Sequence, residues 1–324
     1  MKRLNLKRGV LMVIIIITVV FSCIPSTIKM YDIADLSSTT KTLKTANFWT
    51  LTTPIYINDA DPNSNWSKTA SDNDWCSGSG TYSDPYIIEN VIIQGMNLVA
   101  GIVIKSSSVN FVIKNCTIAN IQSYRFEYGI ELDNVTNGKL IDNNFSYNRL
   151  IGIYLYYSDN NTLLGNLGND NFESGIRLQY SSNNTITGNT ASENKEVGIY
   201  LTSFSNNNTI SQNTVNSNTN NGIILSLECS NNTITENIIN YSRIGILLER
   251  SSNGNKIIGN YLIGNQICIK ESESSHNTFE NNDCREHESS AILGFDLTIL
   301  ISLVGVISPI LAIIIKKRIK NTYG

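Results

Sequence analysis

The chain has 324 residues, 16% of them charged, and a formal net charge of −3. That charged fraction is well below the roughly 25% of an average soluble domain, and the small net charge leaves no basic footprint for nucleic acid. There are 45 Asn and 47 Ile but only 2 His, which argues against a helical bundle, plain disorder and a histidine-built metal enzyme.

Lys2, Arg3, Lys7 and Arg8 precede an apolar run from Gly9 to Ile24. This is the layout of a signal peptide or signal anchor over 1–25. The run is shorter than the roughly 20 residues of a spanning helix. Residues 26–54 are rich in Ser, Thr and Lys and read as a spacer. Residues 55–85 hold Ile55-Tyr56-Ile57, Trp66, Trp75 and a Gly-Ser turn, and read as an N-terminal cap.

From residue 86 to 287 one pattern recurs. Gly-Ile-x-Leu begins at Gly129, Gly152, Gly175, Gly198, Gly222 and Gly245, with a first copy at Gly101 and a degenerate last one at Gln266. The intervals are 28, 23, 23, 23, 24, 23 and 21 residues, so an insertion loops out near 123–127 in the long first interval. A second line reads Asn-x-Ile-x-x-Asn. Its final Asn runs Asn115, Asn143, Asn166, Asn189, Asn213, Asn237, Asn260 and Asn282. Parallel Asn series stand five residues before and five residues after it in most copies.

Short alternating apolar runs mean strands. A strand of three to five residues cannot bury its face alone. Three of them in a 23-residue unit make one turn of a coil, and coils stack about 4.8 Å apart. The fold class is therefore all-β: a parallel β-helix of about 8–9 coils. Ile and Leu columns form the core. Asn suits the sharp corners, and identical Asn on successive coils pair into a structural ladder.

Residues 292–315 are apolar except for Asp296, and Lys316, Lys317, Arg318 and Lys320 follow. This predicts a transmembrane helix with a cytoplasmic basic tail at 316–324. Residues 26–290 are then extracytoplasmic.

The segment Gly80-Thr81-Tyr82-Ser83-Asp84-Pro85-Tyr86-Ile87-Ile88-Glu89, followed by the Gly-Ile-x-Leu and Asn-Asn-Thr-Ile copies, resembles the NosD-type β-helix proteins over 78–285. The resemblance implies a right-handed parallel β-helix, with repeats shared by carbohydrate-binding proteins and sugar hydrolases. It also implies a periplasmic role in copper delivery. Copper sites use His, Cys and Met. His276 and His287 stand only in the last coil and Met96 is the single Met of the repeat domain, so no metal and no cofactor is expected.

The outward positions of the first strand of each coil carry the candidate ligand site: Glu131, Asp133, Tyr154, Tyr156, Arg177 and Tyr200. Aromatic rings with flanking carboxylates and Arg suit a sugar chain, and cross-strand pairing that stabilises the sheet explains the same residues. No pair of carboxylates with His is identifiable, so no catalytic residue is assigned. Cys23 goes with the signal segment, while Cys76, Cys116, Cys229, Cys268 and Cys284 occupy different columns and predict no disulfide framework and no zinc site. Nine Asn-x-Ser/Thr sequons occur, at Asn65, Asn115, Asn134, Asn144, Asn160, Asn183, Asn207, Asn231 and Asn240. The chain reads as a membrane-anchored extracytoplasmic display module for glycans or partner proteins. A carbohydrate-active enzyme and a copper-handling accessory protein are the alternatives.

Overall fold

The computed structural model describes residues 48–95, 100–122 and 128–285. The apolar segments 1–25 and 292–315, the tail 316–324, Met96, His287 and the insertion 123–127 lie outside them. Among the described residues no helix is long and apolar enough to cross a membrane.

Each coil lays one strand on each of three faces. The long-strand face runs from Ile55–Asn58 through Ile102–Ser107, Tyr128–Val135 and Ile151–Tyr156 to Ile267–Ser272, nine strands and all parallel. The short-strand face holds Tyr86–Glu89, Phe111–Lys114 and a series of three-residue strands such as Thr185–Thr187. Only Cys76–Ser77 joins it antiparallel, at its N-terminal edge. The third face shrinks in mid-solenoid to single bridging residues, Asn144, Leu167, Thr190, Thr214 and Ile238. The expected β-solenoid is what forms.

Identical residues stack in register: Ile153, Ile176, Ile199, Ile223 and Ile246 pair in sequence and are fully buried. Each such Ile contributes about 1.5–3 kcal/mol relative to exposure. One continuous core runs from Ile55 to Leu262.

The corners explain the Asn excess, and they use Asn in two ways. At each corner one residue takes left-handed φ and the next points inward. Asn160 has φ 56° and Asn161 is buried; Asp142 has φ 51° and Asn143 is buried; Tyr147 has φ 63° and Asn148 is buried. The inward Asn form the ladders. From Asn143 to Asn282 each Nδ2 donates to the Oδ1 one coil on at 2.9–3.1 Å. Each backbone N–H reaches the same oxygen. Asn161 to Asn277 and Asn148 to Asn218 form two further ladders. A fourth column, of Ser158, Ser181, Ser205, Ser252 and Ser274, satisfies backbone N–H groups through hydroxyls at the remaining corner.

Four expectations need correction. Asn115 is not in the ladder: it is exposed, has φ 52° and donates to Asn90 Oδ1 at 2.7 Å. The register puts Ile113 beside Leu140, so Cys116 stands in the ladder column and its N–H meets Asn143 Oδ1. The last copy begins at Cys268, not Gln266, because Ile269 pairs with Ile246. Cys268 and Cys284 form a disulfide, with Cα atoms 5.8 Å apart. They do occupy different columns, but those two columns touch across the coil. A Cβ on Gly245 would meet the Leu262 side chain at 2.5 Å, and one coil later Cys268 and Cys284 hold those two places. Finally Trp49–Leu51, inside the stretch read as spacer, is a strand paired with Val91–Ile93.

At the N-terminal end the helix Trp66–Asp72 is capped by Asn65, whose side chain accepts from the Lys68 N–H at 2.8 Å. Trp66, 1% exposed, stacks on Tyr86 at 5.3 Å and packs on Phe111 at 4.9 Å. At the other end the inward column closes on a polar residue, Glu271, in register with Leu248.

Candidate functional site

The long-strand face places the six candidate residues on four consecutive coils. Along one outward column the register is Val103, Glu131, Tyr154, Arg177, Tyr200, Ile224 and Leu247. Along the next it is Lys105, Asp133, Tyr156, Gln179 and Thr202. Alternation in a strand puts both columns on the solvent side of the sheet.

The first column is tightly packed. The Arg177 guanidinium lies 5.9 Å from the Tyr154 ring centroid and 5.1 Å from that of Tyr200, a cation held between two aromatic faces. Its Nη1 is ion-paired with Glu173, four residues earlier in the same coil. Tyr128 covers Tyr154 from the other side at 5.0 Å. Tyr154 is thereby only 9% exposed, and its hydroxyl donates to Gln179 Oε1 at 2.9 Å. Arg177 Nε and Ser174 Oγ are buried with no hydrogen-bond partner among the described residues.

The N-terminal part of the patch is charged. Lys105 Nζ bonds Asp133 at 2.9 Å. Glu131 is 9% exposed beside them. Burial pushes its carboxyl above the ordinary 4.5; the Lys105 charge opposes this and Asp133 adds to it. Burial alone would lower the Lys105 ammonium, but the Asp133 hydrogen bond and the Glu131 and Asp133 charges outweigh it and raise the value. Burial also raises the Tyr154 phenol, against the pull of Arg177. A carboxyl whose value is raised keeps its proton to higher pH than an exposed Glu does.

The raised Glu131 value has a consequence for stability. Relative to the unfolded chain, its contribution is fully present below pH 4.5 and is lost as pH rises through the folded value. Glu131→Gln is expected to lose this component. The urea midpoint of the wild type should fall relative to that of Glu131→Gln as pH is raised from 4 to 7. Parallel profiles would show that the carboxyl is not perturbed.

Several residues at the patch escaped the sequence reading. Tyr128, in register with Ile151, packs against Tyr154. Tyr157, Tyr180 and Phe204 flank the second column: Tyr157 stacks on Tyr180 at 4.6 Å and Tyr180 on Phe204 at 6.4 Å. Tyr156 meets the edge of Tyr157 at 4.5 Å. Their signal was present, because the three rings stand 23 and 24 residues apart, one or two places past each strand end.

Solved structures confirm the architecture. A mutant of the periplasmic alginate epimerase AlgG superposes with a TM-score of 0.54 at 19% identity, covering 60% of this chain and 50% of that one. The A-module of the Azotobacter vinelandii mannuronan C-5 epimerase AlgE6 gives 0.55 at 16% identity, covering 62% and 59%. This chain thus spans half to three fifths of those proteins, and the likeness is one of fold. No curated protein matches the sequence. The family model described as periplasmic copper-binding protein (NosD) matches residues 18–171 and 127–290.

The described residues do not fit a copper site. Among them no cluster of three or more His, Cys, Asp or Glu is placed to hold a metal ion. The thiolate is the metal ligand, and burial pushes the thiols of Cys76, Cys116 and Cys229 up to about 12. His276 sits on an exposed left-handed corner and bonds Ser275 Oγ.

Proposed function

The chain belongs to the NosD family, and from that premise we propose that it is a membrane-anchored extracytoplasmic β-helix whose long-strand face holds a carbohydrate chain. The extracytoplasmic setting follows the family, which is periplasmic by description. The anchor is the apolar segment 292–315 with its basic tail.

One observation carries the sugar reading. Along the first outward column Glu131, Tyr154, Arg177 and Tyr200 follow one another on four coils, with Arg177 Nε buried and unpaired among the described residues; over the next two coils the same column is aliphatic, Ile224 and then Leu247. A change of chemistry along one column of an otherwise uniform repeat marks a site. Rings, a carboxyl and an amide at Gln179 are what sugar hydroxyls and C–H faces meet. The two solved β-helices named above are an alginate epimerase and a mannuronan C-5 epimerase, which supports the reading.

The test is a glycan array with the purified full chain and the double variant Arg177→Ala/Tyr156→Ala. Binding to a glycan class that drops at least tenfold in the variant is the expected result. Equal binding by both proteins, or none by either, would sink it. Release of shorter sugars during incubation would favour the enzymatic alternative, with Glu131 as the acid.

A further inference from the structure

The repeat places four sequons on one corner, and the structure separates them from most of the others. Asn160, Asn183, Asn207 and Asn231 each begin Asn-Asn-Thr. The Thr that follow, Thr162, Thr185, Thr209 and Thr233, pair in register on consecutive coils. The four acceptors therefore stand in a row about 4.8 Å apart. All four are exposed and take left-handed φ of 55–57°. The second Asn of each motif, Asn161, Asn184, Asn208 and Asn232, is the one that turns inward and carries the ladder. The outer Asn is thereby relieved of any ladder role.

Four other sequons differ. The Asn65 amide caps the helix, Asn115 Nδ2 is held by Asn90, Asn144 Oδ1 accepts from Ser146 N–H, and Asn240 Oδ1 accepts from Ile263 N–H. Asn134 is exposed but stands alone at the neighbouring corner, beside the tyrosine patch.

We propose that the corner row Asn160, Asn183, Asn207 and Asn231 is an N-glycosylation site of the exported protein. The donor is a lipid-diphosphate-linked oligosaccharide. The acceptor Nδ2 forms a bond to the anomeric carbon. The bond from that carbon to the diphosphate oxygen breaks, the lipid diphosphate leaves with the electron pair, and the amide proton passes to a base of the transferase. The Asn at each left-handed corner is exposed, and the Thr two residues on is half-buried or exposed.

The geometry also limits the outcome. A pyranose ring with its hydroxyls is wider than the coil spacing, so adjacent coils cannot both carry one. Occupancy is at most two of four on a molecule, as Asn160 with Asn207, Asn183 with Asn231, or Asn160 with Asn231. The inference needs only the extracytoplasmic placement and does not depend on what the tyrosine face binds.

The full chain, purified from membranes of the cells that make it, is mapped by glycopeptide mass spectrometry and weighed intact. Sugar on one or more of the four Asn, and never on neighbours of the same molecule, is the expected result. An unmodified row, sugar confined to Asn65, Asn115, Asn144 or Asn240, or three or more occupied positions on one molecule would overturn it. The variant Thr162→Ala/Thr185→Ala/Thr209→Ala/Thr233→Ala keeps every Asn. It should lose the sugar mass of the row while keeping its β-sheet circular dichroism; sugar retained on the row would also overturn the proposal.

Discussion

Asn189→Ala is expected to cost about 3 kcal/mol, because it orphans several buried groups at once. Asn189 Oδ1 accepts from both the backbone N–H and the side-chain Nδ2 of Asn166, at 2.9 Å each. Its Nδ2 donates to the carbonyls of Leu163 and Thr187 and to Asn213 Oδ1. Ala replaces none of these. The Asn166 N–H loses that acceptor in a dry interior, where an unmet polar group costs about 1–3 kcal/mol. The control is Asn183→Gly, in the same repeat but on the outer corner at φ 57°. It is expected to change stability by less than about 1 kcal/mol, since Gly takes left-handed φ without strain. Urea unfolding measures both. If the two variants unfold at the same midpoint, the inward amides do not support the stack.

The second large effect is expected at the glycine of Gly-Ile-x-Leu. These glycines are not there for left-handed φ. A Cβ on Gly175 would meet the Gly168 carbonyl oxygen at 2.5 Å, the Ala191 Cβ at 2.8 Å and the ladder nitrogen of Asn194 at 2.9 Å. Two of these neighbours cannot swing aside. Gly175→Ala should therefore fall at the upper end of overpacking, about 3 kcal/mol. That corresponds to a melting temperature lower by about 6–12 °C in a domain of this size. Gly188 is the comparison. It has φ +66° and nothing closer than 4.0 Å to a built Cβ, so Gly188→Ala carries only backbone strain, about 1–2 kcal/mol. A Gly175→Ala protein that melts no lower than Gly188→Ala would mean that close approach is not what fixes the residue.

Much of this was legible in the sequence because a stacked coil repeats its constraints. Every coil needs a small residue at the tight corner and an amide at the inward corner, so Gly175 and Asn189 announce themselves by period. The slip at Asn115 has the same origin. The left-handed residue just before each inward position is often Asn too, as at Asn160 before Asn161. In the first coil the inward places are held by Phe111, Cys116 and Ile121, whose N–H groups or side chains meet the next coil's Asn or Gly. A reader aligning Asn with Asn lands one residue early. The Ser column stayed hidden because Ser is common at exposed turns. The disulfide stayed hidden because sequence period reports neighbours along the axis, and Cys268 and Cys284 meet across it. At the tyrosine face the register was legible from the repeat. The packing that buries Tyr154 and Glu131 was not, since outward position alone does not say which rings close over which.

The disulfide of the last coil decides how that end responds to force. In a parallel β-helix the ladder hydrogen bonds lie along the long axis. A pull on the chain beyond Arg285 would load them one coil at a time, like opening a zipper. The Cys268–Cys284 bond closes a covalent short circuit around the final coil. Tension entering at residue 285 passes from residue 284 to residue 268 and bypasses the fifteen residues between. That coil cannot be peeled, and the first bonds to carry load are those between two intact rungs.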